Sequence, residues 1–175
     1  MRQVLETPRL RLREMEDGDL AFVAGMLADP EVMRYYPRTL DREEARAWLD
    51  RQRARYERDG HGLWLVETRE GSEPVGQVGL VAQEIDDGVH PEVGYLIHLP
   101  FQRRGYATEA ALAVRDHAFQ GRGYPYVVSF IRPENVPSQR VAWKLGMAPT
   151  RMIRRANLDH VVFRVDRESV LPAGR

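Results

Sequence analysis

The sequence contains no cysteine, which excludes disulfides, thiolate metal sites and a cysteine nucleophile together. Its five histidines, His61, His90, His98, His117 and His160, show no close ligand spacing, so no metal is expected, and His117 reads as a residue on the exposed face of a helix. An excess of either charge is also missing: Lys plus Arg and Asp plus Glu number 26 each, which gives no sign of a nucleic-acid or anionic-membrane partner. No apolar run approaches membrane-spanning length, and the first residues, with Arg2, Glu6 and Arg9 among them, lack the apolar core of a signal peptide. A cytoplasmic protein is expected.

What is present suffices for a sizeable core. With 175 residues, 43% of them hydrophobic, one compact domain over 1–175 is the natural reading, with residues 171–175 a frayed tail. Leucine alternates with arginine over 9–13, a strand period, and Leu20, Val23, Ala24 and Leu27 form one helical stripe closed by Asp29-Pro30. Asp41-Arg42-Glu43-Glu44 reads as a capping box opening a helix that runs to about Asp59-Gly60. Segments 62–68, 74–84 and 92–97 read as an antiparallel meander, 108–121 as a helix, and 126–131 as a buried strand. A short helix over 137–145, with Gly146 just past its end, precedes a final hairpin of 151–156 and 159–166. This order predicts an α/β or α+β fold with one sheet and helices on both faces, without linker or repeat.

The most informative stretch is Gln102-Arg103-Arg104-Gly105-Tyr106-Ala107-Thr108-Glu109, which follows a strand-like run and opens a helix. A glycine turn there leaves backbone N–H groups converging at the positive end of a helix dipole, which suits a phosphate. Arg103 and Arg104 add positive charge, and Gly105 and Ala107 keep side chains away from a closely approaching pyrophosphate. Taken by itself the pattern is weak, since glycine before a helix is often only a turn.

The spacing of Gln102, Gly105 and Ala107 resembles the acetyl-coenzyme A pyrophosphate loop of the GNAT acetyltransferase superfamily. Glu92-Val93-Gly94-Tyr95-Leu96-Ile97 looks like that family's fourth strand, and Asn135-Val136-Pro137-Ser138, ending in Lys144-Leu145-Gly146, like its later cofactor-side helix. The opening Thr7-Pro8-Arg9-Leu10-Arg11-Leu12-Arg13 and closing Asp159-His160-Val161-Val162-Phe163 resemble the bacterial branch, of RimJ/RimL type, that acetylates ribosomal-protein N-termini. The resemblance implies a mixed, mostly antiparallel sheet whose central strands splay to admit pantetheine, and acetyl-coenzyme A as co-substrate. It also implies cofactor contacts from Tyr95, Leu96, Ile97, Gln102, Arg103, Arg104, Gly105, Tyr106, Ala107, Thr108, Asn135 and Ser138. A β-bulge at Gly94 would turn an amide toward the acetyl carbonyl; the plainer reading is relief of packing.

Base strength decides how much help the attacking amine needs. A protein α-amine is neutral in roughly one molecule in seven at pH 7, a lysine in about one in 2,500, a difference from full neutrality of about 4.6 kcal/mol for the lysine. An α-amine can react with a weak base or a water relay. Glu92 is the candidate base, where the family commonly carries a carboxylate, and Pro91 and Val93 could dry its surroundings; an exposed strand-end glutamate is the alternative. Glu134 reads as a charge at a helix start. Many relatives place a tyrosine where this chain has Ala142, so Ser138 is the candidate donor to the leaving sulfur, with a first-turn cap as its alternative. Asn135 would bond a pantetheine amide or cap the helix. Trp143 and Met147, two departures from the branch pattern, read as core or cofactor-wall residues. Between the first two helices, Tyr35, Tyr36 and Arg38, with Trp48 on the following helix, are the acceptor-side candidates.

These observations lead to an N-acetyltransferase that moves acetyl from acetyl-coenzyme A to a primary amine by direct attack. A protein N-terminal α-amine is the first expectation and a small-molecule amine (antibiotic, polyamine or amino-acid derivative) the second. A coenzyme A-binding sensor without turnover is the rival of another class. A homodimer is expected from the family's habit of pairing.

Overall fold

The computed structural model describes residues 2–85 and 88–170; the expected tail at 171–175 lies outside them. In chain order the elements run β1 (Gln3–Glu6), β2 (Leu10–Arg13), α1 (Leu20–Ala28), α2 (Arg42–Asp59), β3 (Leu63–Thr68), β4 (Pro74–Ile85) and β5 (Gly88–Ile97). They continue with α3 (Tyr106–Asp116), β6 (Tyr126–Ile131), α4 (Val136–Lys144), β7 (Ala148–Arg155), β8 (Leu158–Asp166) and α5 (Arg167–Val170).

The eight strands form one sheet in the order β1-β2-β3-β4-β5-β6-β8-β7. Every neighbouring pair is antiparallel except β5 and β6, which run parallel and share a single registered pair, Glu92 with Val128. Beyond that pair the central strands separate, which is the expected splay. The ladder between β4 and β5 is regular from Gly76 opposite Ile97 to Ile85 opposite Gly88, so the bulge expected at Gly94 is not there. The opening is made by β6 leaving, and Gly94 has a packing role: a Cβ on it would stand 3.1 Å from Leu63 Cδ2.

Strand alternation sorts the core into two layers. Val78, Leu80, Val93, Ile97, Val127 and Phe163 pack with Ala110, Val114, Ala142 and Leu145 from α3 and α4. On the other face Leu63, Leu65 and Val81 meet Val23, Leu27, Ala45 and Leu49 from α1 and α2. Asp41 caps α2 as its sequence implies, accepting from the Glu44 amide while Glu44 returns a bond to Asp41 N. Gly146, at φ +80°, takes the left-handed position after α4.

Several expectations need correction. Strand β1 was not anticipated; it pairs antiparallel with β2 at the sheet edge. Strand β5 begins at Gly88 because its hairpin with β4 extends four residues further than the apolar run suggests. Helix α3 starts at Tyr106 and ends in a π turn, His117–Gly121. That turn rotates His117 off the exposed face and sets its ring edge-on to the buried Trp64, with centroids 5.9 Å apart. Met147 is core, but Trp143 keeps 54% of its surface exposed and meets Phe163 only edge-on.

Candidate active site at the central splay

The glycine loop lies at the C-terminal end of β5. Gly105 sits at φ +84° as the residue before α3, and Arg103 at φ +61° gives the loop a second left-handed position. The first main-chain bond of α3 runs from Glu109 N to Gly105 O, so the amides of Tyr106, Ala107 and Thr108 precede the helical ladder and are the orphan donors of its first turn. Gln102 does not reach outward; its Nε2 donates to Ile97 O at 2.9 Å and ties the loop to the strand end.

The loop is braced by bonds between residues far apart in the sequence, a pairing that local pattern does not reveal. Glu109 accepts from Thr7 Oγ1 (2.6 Å), from the Arg9 amide (2.9 Å) and from Arg9 Nε (2.6 Å). Arg9 also donates to Arg104 O at 3.0 Å and lies over the Tyr106 ring. Partial burial favours the protonated form of Glu109, but the bonds from Thr7 and Arg9 prevail and hold its pKa below the ordinary carboxylate value. A Cβ on Gly105 would approach Arg9 Nη2 to 3.3 Å, so brace and turn are fitted to each other. The opening Thr7-Pro8-Arg9, which the sequence offers only as part of the branch resemblance, is thus a structural partner of the loop through Glu109 in the first turn of α3.

On the far side of the splay, Asn135 caps α4 by accepting from the Ser138 amide at 3.1 Å. Tyr95, on β5, donates its phenol proton to Ser138 O at 2.8 Å. Ser138 is therefore held at both its amide and its carbonyl, while its Oγ makes no hydrogen bond within the described residues. Burial first, and the Glu92 and Tyr36 charges after it, push the Tyr95 phenol upward, so it remains a donor. Ser129 Oγ occupies the Val93 carbonyl at 2.7 Å across the gap. Ala142 is fully buried and offers no substitute for the tyrosine of relatives.

Glu92 stands where the strands part, with its side chain 15% exposed. Burial is the largest influence on it and raises its pKa; Arg155 at 3.9 Å, Gln83 Nε2 donating at 2.9 Å, the Phe130 amide and Arg55 pull the other way without cancelling it. The result is a carboxylate more basic than usual on an otherwise apolar strand. Tyr36 faces the same charges: burial, then Glu92, push its phenol up to about 12, although 39% of its surface is accessible. Tyr36 is surrounded by protein yet wetted on one side, where a ligand can touch it. Gln83, Arg55 and Arg155 were missed by sequence reading because they come from three separate elements.

The other acceptor-side candidates divide. Trp48 packs against the α1/α2 core and donates Nε1–H to Gln77 Oε1 at 3.0 Å, so its polar tip is already engaged. Tyr35 is half-buried with Arg34 over its ring, Arg38 pairs with Glu44 rather than facing Glu92, and Glu134 pairs with Arg132. A shallow groove of about 590 Å³ lined by His90, Thr150, Arg151 and Arg164 among others lies toward the opposite ends of β6 and β8 and includes none of the candidates. Among the described residues no group of three or more His, Asp or Glu side chains could hold a metal, and no helix is long and apolar enough to cross a membrane.

The comparisons agree with this geometry. Residues 9–148 match the family model described as an acetyltransferase (GNAT) domain. The uncharacterized protein YkkB of Bacillus subtilis is 38% identical over 160 residues, covering 91% of this chain and 93% of its own length. The crystal structure of an acetyltransferase from Agrobacterium tumefaciens superposes with a TM-score of 0.82 at 28% identity, covering 94% of each chain. The RimL ribosomal L7/L12 alpha-N-protein acetyltransferase, solved in complex with coenzyme A, shares the fold with a TM-score of 0.78 at 16% identity over 94% of this chain and 98% of its own. A strand-parted sheet with a braced glycine turn at the mouth of the gap, matched over most of its length by that model, identifies the chain as a member of the GNAT acetyltransferase family.

Proposed function

We infer that this acetyltransferase acts on a primary amine by direct attack, with Glu92 as the base and a protein N-terminal α-amine as the preferred acceptor. The observation that carries the reading is Glu92 at the single registered β5–β6 pair, with a raised pKa and the partly exposed Tyr36 close enough to feel its charge. A base poised nearer neutral pH takes the amine proton more effectively than an ordinary glutamate.

The residues present fit acetyl-coenzyme A. The orphan amides of Tyr106, Ala107 and Thr108, together with Arg103 and Arg104, suit a pyrophosphate, and the Gly105 turn lacks the Cβ that would crowd it. The unpaired edge of β5 through Tyr95, Leu96 and Ile97 offers main-chain groups to an extended amide-bearing arm. Once bound, the thioester supplies the acetyl group. Asn135, used as the α4 cap, keeps its Nδ2 for an amide carbonyl, and Ser138 Oγ, fixed by the Tyr95 and Asn135 bonds, is the donor to the departing sulfur. A thiol with a pKa near about 8.5 needs only such an orienting bond. The α-amine preference rests on base strength: part of an α-amine is already neutral at pH 7, so Glu92 need only accept the proton that the nitrogen sheds once it has attacked the thioester carbon.

Calorimetric titration with acetyl-coenzyme A, followed by thiol release against N-terminal peptides and small amines, tests this. Release that depends on peptide is expected. Release with small amines alone would move the reading to a small-molecule acetyltransferase, and binding without release would favour a sensor.

A further inference from the structure

Two cations, Arg155 and Arg55, act on Glu92, and among the described residues that one carboxylate does not balance them. Arg155 approaches from the end of β7, its nearest charge the Glu92 carboxylate at 3.9 Å, too far for a tight pair, and its guanidinium carbon lies 5.9 Å from the Phe130 ring centre. Arg55 approaches from α2, where its Nη1 donates to Gln52 Oε1 at 3.2 Å; Gln52 is fully buried and also accepts from the Leu63 amide. Arg55 has no ion pair among the described residues. Burial weakens its hold on its proton, with Glu92 the chief opposing influence, as expected of a half-buried cation short of a counter-charge. On the same side of the sheet, His160 loses basicity to burial and also to Arg155 and Arg132.

We propose that the acceptor amine carries a carboxylate close to it, and that Arg155 and Arg55 bind that carboxylate from opposite walls of the cleft. The proposal rests on the acetyl-transfer reading above and narrows its substrate. The charge balance favours it at each stage. With Glu92 ionised these side chains carry one excess positive charge among the described residues; when the amine attacks the thioester carbon and the proton it sheds passes to Glu92, they carry two, and the sulfur that leaves as thiolate balances one of them. A carboxylate on the acceptor offsets the remaining charge at each stage, and Arg155, 40% exposed, can swing from its long contact with Glu92 into a bidentate pair. The type I′ turn at Ala156 and Asn157, with φ +48° and +60°, sets Arg155 opposite Leu158 and so fixes where its backbone stands. The carboxylate could belong to an acidic residue just after a peptide N-terminus or to a free amino acid.

Thiol release by the whole protein is measured with matched acceptors: a peptide carrying Glu at its second position against the same peptide with Gln, and an amino acid against its amide, each corrected for its fraction of neutral amine. The acidic member of at least one pair should show about tenfold or higher kcat/KM, as for a charge-assisted bond. Preference within the peptide pair assigns the carboxylate to a side chain, and preference within the amino-acid pair assigns it to a small molecule. Arg155→Gln and Arg55→Gln should each shrink the ratio, and Arg155→Glu should turn it in favour of a peptide with Lys at the second position. Equal turnover of acidic and neutral acceptors overturns the proposal and leaves acetyl transfer standing. No release from any acceptor contradicts acetyl transfer itself.

Discussion

The two sides of the splay are built on different principles. The glycine loop is closed on itself: Glu109, Thr7 and Arg9 exchange short bonds, Gln102 is tied to Ile97, and two left-handed residues set the turn. The acceptor side is loosely bonded: Tyr36 is partly open, Arg155 stands 3.9 Å from Glu92, and Arg55 bonds to Gln52 without an ion pair among the described residues. A site that receives the same pyrophosphate in every cycle gains from preorganisation, because ordering costs are met on folding rather than on binding. A site that admits an incoming amine needs room to rearrange.

The largest effect expected is on the cleft side. Glu92→Gln should lower kcat/KM by about 10²- to 10³-fold, the range for loss of a general base, while acetyl-coenzyme A affinity measured by calorimetry stays near wild type. The same variant has a stability signature. Because the folded pKa of Glu92 is raised, the native state binds its proton more tightly than the unfolded chain, and stability falls as pH rises from the unfolded carboxylate value through the folded one. Glu92→Gln should therefore melt higher than wild type at neutral pH, with the gap closing below about pH 4. A gap independent of pH would show that Glu92 is not held out of water.

On the loop side, Gly105→Val combines a β-branched side chain with φ +84° and the approach to Arg9, and should weaken acetyl-coenzyme A binding by about tenfold or more. Unchanged affinity would reduce the glycine loop to a turn. Glu109→Ala removes the brace and strands Arg9; with Arg9 half in water, a loss of about 1–2 kcal/mol in chemical denaturation is expected, with weaker cofactor binding and little change in the kcat measured at saturating cofactor. If the two sides are not as separable as the bonding suggests, Glu109→Ala will lower kcat as strongly as Glu92→Gln. The smallest effect is at the hairpin that presents Arg155: Ala156→Gly relieves a left-handed alanine and should raise stability by about 1 kcal/mol.

How much of this could be read from the sequence follows the same division. The loop is contiguous, so Gly105 and a helix after it are legible from local pattern, although that helix begins two residues earlier than the pattern suggests; the capping box at Asp41 and the meander are legible likewise, and the parting of the central strands through the resemblance. Strand β1 was not, because four residues at an edge carry too short an alternation to separate from a loop. The π turn at His117 was hidden because an extra residue in a helical turn leaves the apolar period almost intact while turning one side chain inward. The cleft draws on Tyr36, Arg55, Gln83, Glu92 and Arg155, which no spacing rule connects. Only the sheet order, with β6 and β8 between β5 and β7, brings Arg155 toward Glu92. Glu92 itself was found by position in the family pattern, and its physical environment became visible only in three dimensions.

The most direct test of the central claim, that Glu92 is the base at the parted strands, is the pH dependence of kcat/KM for amine in the wild type and in Glu92→Gln. The account predicts an acid limb in the wild type that falls as Glu92 protonates, at a pH above the ordinary glutamate range, and its disappearance along with most of the rate in the variant. An acid limb and rate unchanged by Glu92→Gln would contradict it.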